Sequence, residues 1–273
     1  MKKVILVTGA SSGMGKEFVK TLLTNGHIVY GGARRLEKMA DIQQIGAKIL
    51  DLDVTSEESM VCGVNTIIKN EGRIDILINS AGFGLQGALE DVPIDDAKYQ
   101  FEVNVFGLMK LVQIVLPHMR RRRSGTIINI SSAAGKVSSP IGGWYHASKH
   151  ALETLSDSLR MEVKQFGINV VIIEPGSVKS EWGSIAMDNA LKMSGQGIYS
   201  SMVKAYVDGI KAMDPKASDP GVITKLVEKA IKSKRPKARY VGGFMAKPII
   251  FMHGLLPDRI FDAILLSQLK PKK

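Results

Sequence analysis

Short apolar runs at regular intervals constrain this chain more than any other feature. They read KVILVT (residues 3–8), HIVYGG (27–32), AKILDL (47–52), IDILINS (74–80), GTIINIS (125–131) and INVVIIEP (168–175). Each is of strand length and nearly continuous in Val, Ile and Leu, the pattern of a strand buried on both faces. Between them apolar residues recur at helical spacing, as in FVKTLL (18–23), the long stretch 95–120 and the stretch 144–166. Strands that alternate with helices imply an α/β fold, a doubly wound parallel sheet covered on both sides, or Rossmann fold. After Pro175 the rhythm fails. A segment rich in Gly, Ser and Met, 176–200, leaves the carboxyl end of a strand, where open α/β sheets bind ligands, and is read as a mobile substrate loop. Two helical patterns, an edge-strand candidate ARYVGG (238–243) and an apolar helical tail (244–273) follow.

Length and composition agree with one domain over 1–273. At 273 residues, 45% hydrophobic and 23% charged, the chain can bury a sizeable core and reads as a soluble globular protein. The single cysteine, Cys62, cannot form an intramolecular disulfide and is read as a core thiol; a cytoplasmic location is expected. The first apolar run is too brief for a signal peptide, and the most apolar stretch, from Pro248, is cut by His253, Pro257, Asp258 and Arg259. No membrane span is expected. The net charge of +11 permits an anionic partner, but its densest run, Arg120 to Arg123, ends a helical pattern without interleaved aromatics. It reads as a solvated helix end complementing the helix dipole, and no nucleic acid or metal is expected.

The first strand runs directly into Thr8-Gly9-Ala10-Ser11-Ser12-Gly13-Met14-Gly15. Glycines there allow a tight turn and close backbone approach, and the helix N-terminus that follows can receive a pyrophosphate. The second strand ends in Ala33-Arg34-Arg35. An acidic side chain at this end would bind an adenosine ribose, whereas arginine favours a 2'-phosphate, so NADP (NADPH) is expected over NAD. The alternative is two surface arginines opening a helix. Further on, Tyr145 and Lys149 stand four apart in GGWYHASK and so share a helix face. A phenol titrates near ~10, and a cation one turn away would bring it towards the working range.

Together these motifs resemble the short-chain dehydrogenase/reductase family, over residues 4 to about 180. The family pattern TGxxxGxG is met by Thr8, Gly9, Gly13 and Gly15; its Asp-Val, which touches adenine, by Asp53-Val54; and its NNAG by Asn79-Ser80-Ala81-Gly82, with Ser80 departing from the second asparagine. Asn104, a strand-end serine and Tyr145 with Lys149 match the catalytic set. Ser132, thirteen residues before Tyr145 at the family's spacing, is preferred to its neighbour Ser131. Pro175, Gly176, Val178 and Ser180 resemble PGxVxT, which holds the nicotinamide amide.

The resemblance implies hydride transfer between nicotinamide and a carbonyl or secondary alcohol. Tyr145 would move the proton, Ser132 would bond the substrate oxygen, Lys149 would bind the nicotinamide ribose, and Asn104 would hold a relay water. His146, which points off the face of Tyr145 and Lys149, and His118 are read as structural. Phe83, Leu85, Trp144, Trp182, Met187 and Met193 fall where the family borders its substrate cleft. Their apolar character leans to a steroid, retinoid or fatty-acyl compound, or else they simply pack. The chain looks most like bacterial members related to the 17β-hydroxysteroid and retinol dehydrogenase branch. A homodimer through 95–120 and 144–166 is implied, with the tail packed on the domain or a partner and bordering the cleft. A non-catalytic NADP(H)-responsive regulator, or a protein in peripheral contact with a membrane, are the alternative readings.

Overall fold

A computed structural model describes residues 2–269. Seven strands form one wholly parallel sheet: β1 (Val4–Thr8), β2 (Ile28–Ala33), β3 (Lys48–Asp51), β4 (Ile76–Asn79), β5 (Gly125–Ile130), β6 (Ile168–Pro175) and β7 (Arg239–Gly242), in spatial order β3-β2-β1-β4-β5-β6-β7. The Rossmann expectation therefore holds, and β7 is the expected edge strand. Each strand serves two cores because successive side chains alternate sides. Val4, Leu6, Leu77, Ile127 and Val170 face α3 (Glu57–Glu71), α5 (Leu108–Arg121) and α6 (Gly143–Val163). Ile5, Val7, Ile78, Ile128 and Val171 face α1 (Gly13–Thr24), α2 (Ala40–Gln44) and α9 (Gly221–Lys232). That double coverage is the cause of the continuous apolar runs. Truncating a residue such as Leu77, with no exposed surface, to alanine costs about 2–5 kcal/mol.

The chain order places β1 beside β4, so the β1–α1 and β4 loops diverge at the carboxyl edge and leave a crevice. The expected long helix 95–120 is three pieces: α4 (Ile94–Phe101), a wide π segment (Glu102–Gly107) and α5. The backbone crowds here, since a Cβ on Gly107 would stand 2.0 Å from the Val54 carbonyl oxygen.

Residues 176–200 depart from the expected mobile loop. Ser177 and Val178 are bridged to Phe244 and Ser218, and α7 (Trp182–Ser194) follows, packed on α8 (Ser200–Met213). Its fully buried positions are Ala186, Ala190 and Ser194, four apart but small or polar, so the helical stripe carries little hydrophobic signal. Cys62 is exposed, not a core thiol, because α3 turns Met60, Gly63, Val64 and Ile67 inward.

The arginine run is more than a solvated end. Arg122 bonds the buried Asp75 at 3.0 Å, Arg123 donates to the Gln165 carbonyl, and Arg120 lies over the Phe166 ring. The tail folds into α10 (Ala246–Leu255) and α11 (Asp258–Gln268). Among its described residues only Ala246 and Phe261 are buried within this chain, while Phe251 and Leu255 are 68% and 67% exposed. The tail's last residues, 270–273, lie outside the described residues. Among the described residues no helix is long and apolar enough to cross a membrane.

Candidate active site

The crevice is a cleft of about 430 Å³ whose floor is the loop between β1 and α1. Gly9, Ser11, Ser12, Gly13, Met14 and Gly15 all line it. Gly9 and Gly13 take positive φ, and a Cβ on Gly15 would come 2.4 Å from the Gly9 carbonyl oxygen, so the turn closes only without side chains. Ser12 makes no side-chain cap and the first turn of α1 holds no acid. Its N–H groups and helix dipole therefore suit an anionic group such as a pyrophosphate.

Ala33, Arg34 and Arg35 form the next wall. Arg35 donates to Ser11 Oγ at 3.2 Å and Ser12 Oγ at 3.3 Å, and Arg34 to the Tyr99 hydroxyl at 3.1 Å. Arg35, rather than Arg34, is thus the cation against the glycine loop. Asp53 and Val54 border the cleft; the Asp53 carboxylate also accepts from the backbone and hydroxyl of Thr55.

At the end of β4, Ser80, Ala81 and Gly82 line the cleft, but Asn79 does not. Asn79 is 2% exposed and bonds Asn129 at 2.9 Å, tying β4 to β5. The departure at Ser80 leaves this edge supported, since Thr8 Oγ1 accepts from both Ser80 N and Ala81 N.

Tyr145, Lys149 and Ser132 meet beside this wall, and all three stand on buried frames. Tyr145 and Lys149 lie one turn apart on the inner face of α6, and Ser132 opens the 3₁₀ turn after β5, accepting from Ala134 N and donating to the Pro175 carbonyl. Lys149 Nζ bonds the Ile130 carbonyl at 2.9 Å and lies 5.9 Å from the Tyr145 ring centre. Burial pushes the Tyr145 phenol up to about 12, opposed by the nearby Ser132 hydroxyl, and burial pulls Lys149 down to about 8, opposed by Glu153. Within the protein's own groups the phenol is thus a kept proton, not a lowered one.

Asn104 sits on the π segment with no exposed surface, and its amide is spoken for. Oδ1 accepts from Phe83 N, and Nδ2 donates to the Phe83 carbonyl and to Ser148. Its side chain positions the loop after β4. Pro175 and Gly176 are pinned to the sheet edge, with Gly176 N donating to the Gly242 carbonyl; Val178 packs towards α1, and Ser180 lines the cleft. His146 bonds Ser139 and the carbonyls of Ala134 and Val137, so it braces the loop before α6, and His118 bonds Arg121.

The substrate candidates divide. Phe83 and Trp182 line the cleft, and the Trp182 ring lies 5.3 Å from that of Tyr145. Leu85, Trp144 and Met193 instead pack together around Val92 and Ala97, and Met187 packs on Ala190 and Val203. Sequence reasoning missed Tyr99, Val103, Glu181 and Ile185 on the cleft wall. It also missed Tyr206, a phenol on α8 that burial and the nearby Tyr145 hold well above its usual range. None of these lies in a motif; helical phase from Trp182 to Ile185 was the available signal.

Residues 3–189 match the family model described as short chain dehydrogenase. Among curated relatives, the 3-ketodihydrosphingosine reductase of Bacteroides thetaiotaomicron is 36% identical, covering 96% of this chain and 98% of its own. The NADPH-dependent 3-dehydrocapnine reductase of Ornithobacterium rhinotracheale is 34% identical, covering 97% and 96%. A solved short-chain dehydrogenase from Streptomyces avermitilis superposes with a TM-score of 0.83 at 31% identity, covering 98% of this chain and 96% of that one. With a glycine cradle, a parallel sheet and a Ser-Tyr-Lys group all in place, the chain belongs to the short-chain dehydrogenase family and is an oxidoreductase of that type.

Proposed function

We propose that the chain is an NADP(H)-dependent oxidoreductase that interconverts a carbonyl and a secondary alcohol on a hydrophobic substrate. The observation that carries this reading is the half-buried Ser132 with the buried Tyr145 and Lys149, set beside the anion-binding glycine loop. Bound nicotinamide supplies or accepts the hydride. Tyr145 gives its phenolic proton to the substrate oxygen, Ser132 holds that oxygen, and Lys149 binds the ribose and steadies the phenolate left behind. A phenol raised by burial holds its proton in the neutral range, which suits donation to a substrate oxygen.

Arg35 against Ser11 and Ser12, with Arg34 beside it and no acid at Ala33, supports NADP over NAD. Phe83 and Trp182 support an apolar substrate. The names of the two reductase relatives favour the fatty-acyl ketone among the classes considered. Exposed Phe106 on the π segment and Met161 on α6, 58% and 66% accessible, support a homodimer through the 95–120 and 144–166 faces, and a cytoplasmic location is part of this reading. Exposed Phe251 and Leu255 leave a peripheral membrane contact as a second reading of the tail.

The test is NADPH oxidation against steroid, retinoid and long-chain keto compounds. Turnover by the native chain is expected, with Tyr145→Phe lowering it roughly 10²- to 10⁴-fold at unchanged NADPH affinity. NADPH binding without turnover of any compound would favour the regulator reading.

A further inference from the structure

Behind Lys149 lies a second ionisable group that the reading above does not use. Glu153, one turn further along α6, is 3% exposed, and Glu174, the residue before Pro175 on β6, is 1% exposed. Lys136 Nζ lies 2.9 Å from Glu153 Oε2 and 3.9 Å from Glu174 Oε1, and Arg239 Nε lies 3.0 Å and 3.2 Å from the same two atoms. Arg239 also pairs with Asp157, which pairs with Arg160. The donors are spent on Glu153 Oε2 and Asp157. Glu153 Oε1 has no hydrogen-bond partner, and Glu174 Oε1 is held only by its ion pairs with Arg239 and Lys136, so the two carboxyl groups converge on the one Arg239 Nε.

A buried carboxylate oxygen without a hydrogen bond is costly, and like charges sharing a site resist ionising together. One proton between them relieves both costs. We propose that Glu153 and Glu174 share a single proton and act as a positioning pair for Lys149, holding its ammonium more firmly once that proton leaves. The proposal rests on Lys149 belonging to the site described above.

The electrostatics agree in direction. Burial, then the Glu153 charge, raises Glu174 to about 7, with Lys136 and Arg239 opposing. Burial lowers Lys149 to about 8, with Glu153 opposing. The groups facing the pair are therefore Lys149, Asp157 and Arg160 from α6, Lys136 after β5 and Arg239 from β7. Below about pH 7 the pair carries one negative charge; above it, two, so the lysine keeps its proton longer as pH rises.

The urea unfolding midpoint between pH 5 and 9.5 tests this without any substrate or cofactor. The folded chain holds the shared proton after an unfolded glutamate, titrating near ~4.3, has released it, so this stabilisation is lost as pH rises through about 7. The midpoint of the native chain should fall relative to Glu174→Gln over that range. Lys149, lowered when folded, should contribute a rise above about pH 8, absent in Lys149→Met. In Glu153→Gln that rise should begin at least half a pH unit earlier. In Glu174→Gln, where the second charge never appears, it should also begin earlier, but by less than in Glu153→Gln. Equal slopes in the native chain and Glu174→Gln overturn the shared proton, and a rise unmoved by Glu153→Gln overturns the positioning. Should Glu153→Gln not fold, Glu153→Asp, whose shorter carboxyl withdraws from Lys149, should advance the rise in the same direction, and an unmoved rise again overturns it. If these results hold while no carbonyl compound is turned over, the oxidoreductase reading fails and the pair stands.

Discussion

The two sides of the cleft are built from different materials. On the nucleotide side, recognition falls to backbone: Gly9 packs on Ala81, Gly15 on Gly9, and Thr8 clamps the backbone of Ser80 and Ala81. On the substrate side it falls to side chains carried by helices, with Trp182 and Ile185 of α7 over the cleft and Tyr206 of α8 behind Tyr145. The first side tolerates almost no added atom. The second is held by a small satellite core around Ala190, Val203 and Val207 and leaves large apolar residues in solvent, Ile198 at 83% among them. A backbone site constrains residue type at each position, whereas a side-chain site constrains only shape, so the two differ in both rigidity and legibility.

The comparison breaks most visibly at glycine. Gly15→Ala should lower NADPH affinity more than about 100-fold or prevent folding, because its Cβ would overlap the Gly9 carbonyl at 2.4 Å. Gly197→Ala, with open space around it, should change stability by no more than about 0.5 kcal/mol. Thermal melts and cofactor titration of both variants check this.

Ser132→Ala sharpens the boundary between the sides, since Ser132 belongs to the frame yet faces the chemistry. Loss of one donor to the developing oxyanion should reduce kcat about 10²-fold. NADPH affinity should hold, as single-turnover and binding measurements would report. Arg35→Ala should lower the preference for NADPH over NADH roughly tenfold, about 1.4 kcal/mol, and Arg34→Ala less, because Arg35 alone touches the glycine loop. Equal losses in paired titrations would return the leading role to Arg34.

On the substrate side, Trp182→Ala should raise the substrate KM a few-fold to tenfold with little change in melting temperature. The ring lies at the rim, 36% exposed, rather than in a main core. Smallest of all, Phe251→Ser on the uncovered face of α10 should move stability within about ±0.5 kcal/mol. A larger loss would mean that face is covered in solution.

By itself the sequence determined the layered parallel sheet, the glycine loop, the arginines after β2 and the identity of Ser132, Tyr145 and Lys149. These depend on short-range periodicity and on residue types that backbone geometry demands, so they are readable locally, except Ser132, which only the resemblance to the family singles out from Ser131. Tertiary structure alone decided that 182–194 is a helix, that Asn79 and Asn104 bind the protein rather than the cleft, and that Cys62 faces out. It also decided how strongly burial raises the Tyr145 phenol, because the water that the packed helices exclude is a sum over residues distant in sequence, which no spacing along the chain encodes.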